Sequence, residues 1–260
     1  MESQSLINAI EQQKKEVVVS ISLKLLSQQF THLLFNALFD QGTPTEQALN
    51  ELETRFRNIR DLACPERKGI PCKTWVDFKQ QIPHLFSTLK EDAHMMYSHD
   101  PAAHSIAEVY LAYPGFYAIA IYRMAREFLR LGLPLIPRLM TEYAHQITGI
   151  DIHPGAQIGS AFAIDHGTGV VIGETAEIHN NVKIYQGVTL GALKVSKELR
   201  NSKRHPTIED NVIIYSNASI LGGKTVIGKN SVIGGNTWIT SSIPENSLVL
   251  HQSKVQILSK

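Results

Sequence analysis

Two hydrophobic periods divide the chain. Through the first part, apolar side chains recur at three- and four-residue steps, the spacing of one helical face. Leu23, Leu26, Phe30, Leu33, Leu34 and Ala37 mark one such helix. Gly42 reads as its stop. Thr43-Pro44-Thr45-Glu46 reads as the next start, with Thr43 at the N-cap, Pro44 at the first helical position and Glu46 at the third. Leu49, Leu52, Phe56 and Ile59 continue that face. Residues 64–73, with Pro65, Gly69 and Pro71, predict a loop. Further helices are expected over 75–90 and 100–131. Pro134 and Pro137 then break the pattern before a last helix over 138–147.

Near Gly149 the period becomes six. Ile152, Ile158, Ile164 and Val170 open the series; it shifts by two and resumes as Ile172, Ile178, Ile184 and Leu190. A charged segment, 194–204, interrupts it. Ile208, Ile214 and Ile220 restart it, and after a slip of one it ends as Ile227, Ile233 and Ile239. A fixed short period is the mark of a stacked repeat and does not fit a helical face. The physical reading is a β-helix, in which each hexad gives one strand and one turn and three hexads make one coil. Each aliphatic residue points inward onto its equivalent one coil away. Small residues four positions on, at Ala156, Thr168, Ala176 and Ala218, are expected at corners. Gly159, Gly173, Gly191, Gly228 and Gly234 follow the aliphatic residue where the chain bends tightly. The period-two alternation and hairpin dipeptides of an antiparallel domain are absent. The expected fold class is therefore α + β-helix, with a helical domain over 1–148 and a β-helix domain over 149–260.

Charge changes this picture little. The 260 residues carry 25 basic and 24 acidic side chains, which offers no nucleic-acid or membrane-surface footprint. No apolar run reaches transmembrane length. Met1-Glu2-Ser3-Gln4 lacks the features of a signal peptide, so a cytoplasmic location is expected. Cys64 and Cys72 form no disulfide framework and read as reduced thiols. His94, His99 and His104 are spaced by five, which scatters them around a helix, and no metal site is expected.

Specific motifs punctuate the hexads. They are Asp100-Pro101-Ala102-Ala103, Gly149-Ile150-Asp151-Ile152-His153-Pro154-Gly155-Ala156 and Ile164-Asp165-His166-Gly167-Thr168-Gly169. Gly173-Glu174-Thr175-Ala176, Gly187-Val188-Thr189-Leu190-Gly191 and Arg204-His205-Pro206 follow. In order and spacing the set resembles the serine acetyltransferase family of hexapeptide acyltransferases, over roughly residues 92–249. The resemblance implies a left-handed coil, against the usual right-handed rule. It implies trimers with active sites between adjacent subunits, and a helical domain that commonly joins two trimers into a hexamer. The implied reaction moves an acetyl group from acetyl-CoA to L-serine, giving O-acetyl-L-serine and CoA, the first step of cysteine biosynthesis. The paired H-x4-H of hexapeptide carbonic anhydrases is absent around His153, His166, His179 and His205.

An alcohol is a poor nucleophile until its proton is taken, and histidine, titrating near neutrality, is the natural base. By resemblance that base is His166, and Asp151 orients it and stabilises the imidazolium. The spacing of the two, a little under one coil, places them on adjacent coils near one edge. No acyl-carrying residue stands out, so direct transfer without an acetyl-enzyme is expected. Family likeness gives the substrate ammonium to Asp100 and Asp165 and its carboxylate to Arg204, whose fork suits bidentate bonding. His205 would help close the site. Asp100 before Pro101 is also an ordinary helix start, and Arg204 also closes a charged loop. Acetyl-CoA is expected in a groove near Gly191, Ala192, Ser216 and Gly235, with a backbone N–H near Gly191 as oxyanion donor. Lys224 and Lys229 are candidate phosphate contacts. Cysteine, resembling serine, is the expected feedback inhibitor. The isoleucine-ended tail through which relatives dock on the next enzyme of cysteine synthesis is missing from Ile257-Leu258-Ser259-Lys260, which argues against that complex. The other readings are acetyl transfer to homoserine or a sugar hydroxyl, and a non-catalytic trimeric scaffold.

Overall fold

A computed structural model of the chain describes residues 2–16, 21–42, 44–68, 73–194 and 202–252. Thr43, Gly69, Pro71, Cys72, most of the 194–204 segment and the tail around Ile257 lie outside the described residues.

Among the described residues seven α-helices come first: α1 (Glu2–Glu16), α2 (Ile21–Phe39), α3 (Thr45–Ala63), α4 (Lys73–His99), α5 (Ile106–Ala112), α6 (Pro114–Arg130) and α7 (Ile136–Thr148). Phe30, Phe56, Trp75, Phe78 and Phe128 fill the centre of α2, α3, α4 and α6, with the Phe78 and Phe128 rings stacked 4.0 Å apart. Pro44 caps α3 instead of opening it. The helix expected over 100–131 is broken twice. Asp100 lies in a turn after α4, and the Ser105 hydroxyl caps α5 by accepting from Glu108 N. Pro114, which lacks an N–H, then starts α6 afresh.

Short parallel strands follow, stacked into three faces. The first face holds β1 (Asp151–Ile152), β4 (Val171–Ile172), β7 (Thr189–Gly191), β10 (Ser219–Leu221) and β13 (Trp238–Ile239). The second holds β2 (Gln157–Ile158), β5 (Glu177–Ile178), β8 (Thr207–Ile208) and β11 (Val226–Ile227). The third holds β3 (Ala163–Asp165), β6 (Lys183–Tyr185), β9 (Ile213–Ile214), β12 (Val232–Ile233) and β14 (Leu248–Val249). The hexad aliphatics stack as expected: Ile152 on Ile172, Ile172 on Leu190, Leu190 on Ile220 and Ile220 on Ile239. One corner between the second and third faces is an asparagine ladder. Asn211, Asn230 and Asn246 there adopt left-handed φ, and their amides bond at 3.0 and 3.1 Å.

The two-residue shift has a structural outcome. Ile172 stacks on a residue twenty positions back, and the extra length swells the corner between β3 and β4. That corner carries His166, Gly167 and Gly169 at φ 57, 89 and 81°. Val170 leaves the strand stack to fill the corner's interior, and Thr168, expected there, is exposed.

Helices and coils share a core. Gly149, at φ 71°, ends α7 in the left-handed conformation. Phe116, Ile119 and Tyr122 of α6 pack in one cluster with Ile150, Ile152 and Phe162. A glycine is required at 115, since a Cβ there would stand 2.2 Å from the Ile164 carbonyl oxygen of β3. Beneath this contact lies a buried ion pair: Arg123 donates to both Asp92 oxygens at 2.6 and 2.8 Å and to the carbonyls of Ile158 and Gly159. Asp92 also accepts from Phe162 N at 2.9 Å. Burial pulls the Arg123 guanidinium down, and the facing Asp92 carboxylate more than reverses this. The pair ties α4 and α6 to the first coil. Among the described residues, no helix is long and apolar enough to cross a membrane.

Candidate active site

The swollen corner between the third and first faces is one half of the site. His166 projects from it with its side chain 74 % exposed, Nε2 3.7 Å from Asp165 Oδ1. The other oxygen of Asp165 meets Lys183 Nζ at 3.1 Å. Across the opening, in the turn after α4, Asp100 accepts from Ala102 N at 2.8 Å and from the Tyr113 hydroxyl at 2.6 Å. The Tyr113 bond, then that of Ala102, holds the Asp100 carboxyl below the usual carboxylate range. The same bond pushes the Tyr113 phenol up to about 12. A cavity of about 440 Å³ joins these groups and is also lined by Glu108. Two carboxylates beside an open imidazole can seat a cationic amine and accept a proton from a hydroxyl on the same small molecule.

A second cluster occupies the corner between the first and second faces. His205 is only 8 % exposed. Its Nδ1 receives the Thr175 N–H at 3.0 Å and lies 2.9 Å from the Thr175 hydroxyl, so the ring proton sits on Nε2. Burial, then the neighbouring Arg204 charge, lowers the His205 pKa to about 4. The Arg204 guanidinium bonds the Glu174 carboxylate. Burial pushes Glu174 up, but Arg204 brings it below its ordinary range. His153, whose Nδ1 accepts from Gly155 N at 3.0 Å, is lowered by burial and by Arg138. Gly173 admits the His205 ring: a Cβ at 173 would lie 2.1 Å from its Nε2.

The expected site residues thus divide. Asp100, Asp165 and His166 come together, and so do Arg204 and His205, on different corners. Asp151 makes no hydrogen bond to His166 within one chain. Its carboxylate faces Arg138 at 3.4 Å. Glu142, His145 and Asp151 bring donor atoms within 4.8 Å of one another, but Arg138 bonds both carboxylates, which makes the group a charge cluster. Gly191 and Ala192 lie at the end of β7, on the edge of the second cluster. Ser216 and Gly235 stack one above the other on the His166 corner, where a Cβ at 235 would stand 2.9 Å from the Ser216 carbonyl oxygen. Lys224 is exposed, and Lys229 pairs with Glu245 at 3.1 Å.

Sequence reasoning missed Tyr113, Thr175 and Lys183. Thr175 stood inside a quoted motif without a role. Lys183 could have been found by counting one long coil from Ala163, its partner in register.

No family model matches the chain. The plasmid serine acetyltransferase of Synechococcus elongatus is 49% identical over 245 residues, which cover 92% of this chain and 70% of that protein. The serine acetyltransferase of Bacillus licheniformis is 50% identical over 130 residues, 50% of this chain and 58% of that protein. Among solved structures, Entamoeba histolytica serine acetyltransferase 1 in complex with L-cysteine superposes with a TM-score of 0.77 at 35% identity, covering 86% of each chain. Neisseria gonorrhoeae serine acetyltransferase in complex with serine gives 0.63 at 26% identity, covering 90% of this chain and 96% of that one.

Proposed function

Since the chain belongs to the serine acetyltransferase family, we propose that it transfers the acetyl group of acetyl-CoA to the hydroxyl of L-serine, with His166 as general base. The observation that carries this reading is the open His166 ring, its side chain 74 % exposed, with Asp165 Oδ1 3.7 Å from its Nε2 and Asp100 lining the same cavity. Serine's ammonium would lie between those carboxylates, which brings its hydroxyl to the imidazole. His166 takes the hydroxyl proton as the oxygen attacks the thioester carbonyl, and the proton is then available to the departing thiolate. The tetrahedral oxyanion needs an N–H donor, for which the backbone near Gly191 is the candidate. No acetyl-enzyme enters this scheme, because among the described residues the cavity lining holds neither cysteine nor serine.

Serine's carboxylate would go to Arg204, which sits on another corner with His205 and Gly191. Two half-sites on different edges of one prism are what a head-to-tail interface unites, and the family resemblance implies that this interface closes into a ring of three. The His166 corner of one subunit would thus meet the Arg204 edge of the next, with Ser216 and Gly235 from one and Gly191 and Ala192 from the other flanking the pantetheine arm. The same ring would bring Asp151 of one subunit to His166 of another. The bound serine and L-cysteine of the gonococcal and Entamoeba relatives support a shared amino-acid site, and so cysteine as a competitor of serine. Thiol release from acetyl-CoA with L-serine, homoserine or a galactoside tests the reading: turnover with serine is expected, and turnover with the galactoside alone would overturn it.

A further inference from the structure

Lys183 lines the His166 cavity but has no part in the chemistry above. It stands on the outward face of β6, opposite Ala163 and diagonal to Asp165 on β3. Its side chain is only 7 % exposed. An ammonium has three donors, and all find takers: Asp165 Oδ2 at 3.1 Å, the His99 carbonyl at 3.2 Å, and Tyr185, whose ring centre lies 4.6 Å from Nζ. His99 is the last residue of α4, so its carbonyl belongs to the negative end of that helix. Burial pulls the Lys183 ammonium down, while Tyr185 and Asp165 more than reverse this. Lys183 is therefore a pinned cation in the place where a substrate cation is to bind.

We infer that Lys183 is a resident counter-ion of the amine subsite, sharing Asp165 with the incoming ammonium and so weakening affinity for amino-acid ligands. The inference rests on the acetyl-transfer reading. Asp165 spends Oδ2 on Lys183, which leaves the substrate Oδ1, on the His166 side, together with Asp100. Like charges at this depth are poorly screened. Removing the lysine while keeping the carboxylate frees an oxygen and removes the repulsion. Ligands that carry the same α-ammonium must then gain together, and ligands without it must not.

The test is initial-rate kinetics of Lys183→Met. The KM for L-serine is expected to fall about tenfold, and the inhibition constant of L-cysteine by the same factor. The KM for acetyl-CoA stays put, as does competitive inhibition by 3-hydroxypropanoate, which is serine without its amine. Lys183→Gln, which keeps a donor for the His99 carbonyl, is the second variant if the methionine protein does not fold, and should shift both amino acids several-fold the same way. An unchanged or raised serine KM would make Lys183 a strut for Asp165 and overturn the inference, as would 3-hydroxypropanoate tightening in parallel. Failure of the wild-type protein to release CoA with serine would instead overturn the acetyl-transfer reading.

Discussion

His166 and His205 stand on two corners of one prism and are opposite in every physical respect. His166 is 74 % exposed, at positive φ, with its Nε2 3.7 Å from the nearest carboxylate oxygen. His205 is 8 % exposed, and both the backbone and the hydroxyl of Thr175 fix its Nδ1. The first ring opens onto the cavity. The second is locked neutral, since a proton on Nδ1 would oppose the Thr175 N–H. The same side chain becomes a base or a fixed donor according to burial and hydrogen bonding, which is why a motif alone cannot assign the role.

Loss of His166 should break the contrast most severely. His166→Ala is expected to lower kcat by about a thousandfold, within the range for a lost general base, while light scattering gives the same mass as for the wild-type protein. An equal loss in His205→Ala without a change in KM would erase the distinction between the corners. Next in size is Arg204. Arg204→Ala should raise the KM for serine by about 30-fold, a typical loss for a desolvated charge partner, and leave the KM for acetyl-CoA within a few-fold. Smaller still is Gly173→Ala, whose Cβ would fall 2.1 Å from the His205 ring. Displacing the ring should cost about 1–3 kcal/mol, read as a drop in Tm, together with a raised serine KM.

The smallest effect is a pH dependence. The folded protein holds His205 near 4 against an ordinary 6.5, so the unfolded chain takes up a proton that the folded chain refuses. Stability from this group is complete above about 6.5 and is lost as pH falls toward 4. His205→Gln should flatten the fall of Tm across that window by a few degrees. An identical Tm profile in the variant would show that the ring titrates normally.

Much of this was legible in the sequence. The six-residue period located the buried aliphatics of the strand stacks, because stacking demands repetition, and wrongly added one. Val170 was read as a stack member and is a corner residue, since the period cannot say on which side of a two-residue insertion the register resumes. The helices were less legible. The break at Asp100 and at Pro114 comes from a side-chain turn and a missing N–H, both local, whereas the apolar pattern runs through them. Asp100, Asp165 and His166 line one cavity. Their separation from Arg204 and His205 was not legible, because spacing along a solenoid gives the coil but not the partner across an interface. Lys183 escaped for a related reason: its meaning lies in what α4 lays over it.

The composite site is tested most directly by mixed oligomers. At serine below the wild-type KM, His166→Ala and Arg204→Ala chains are each nearly silent in this scheme, because each impairs every site of its own ring. Co-expressed in equal amounts, they should recover about a quarter of wild-type activity, since one interface in four then pairs an intact His166 corner with an intact Arg204 edge. Activity no greater than that of the two variants assayed separately would contradict a site shared between subunits.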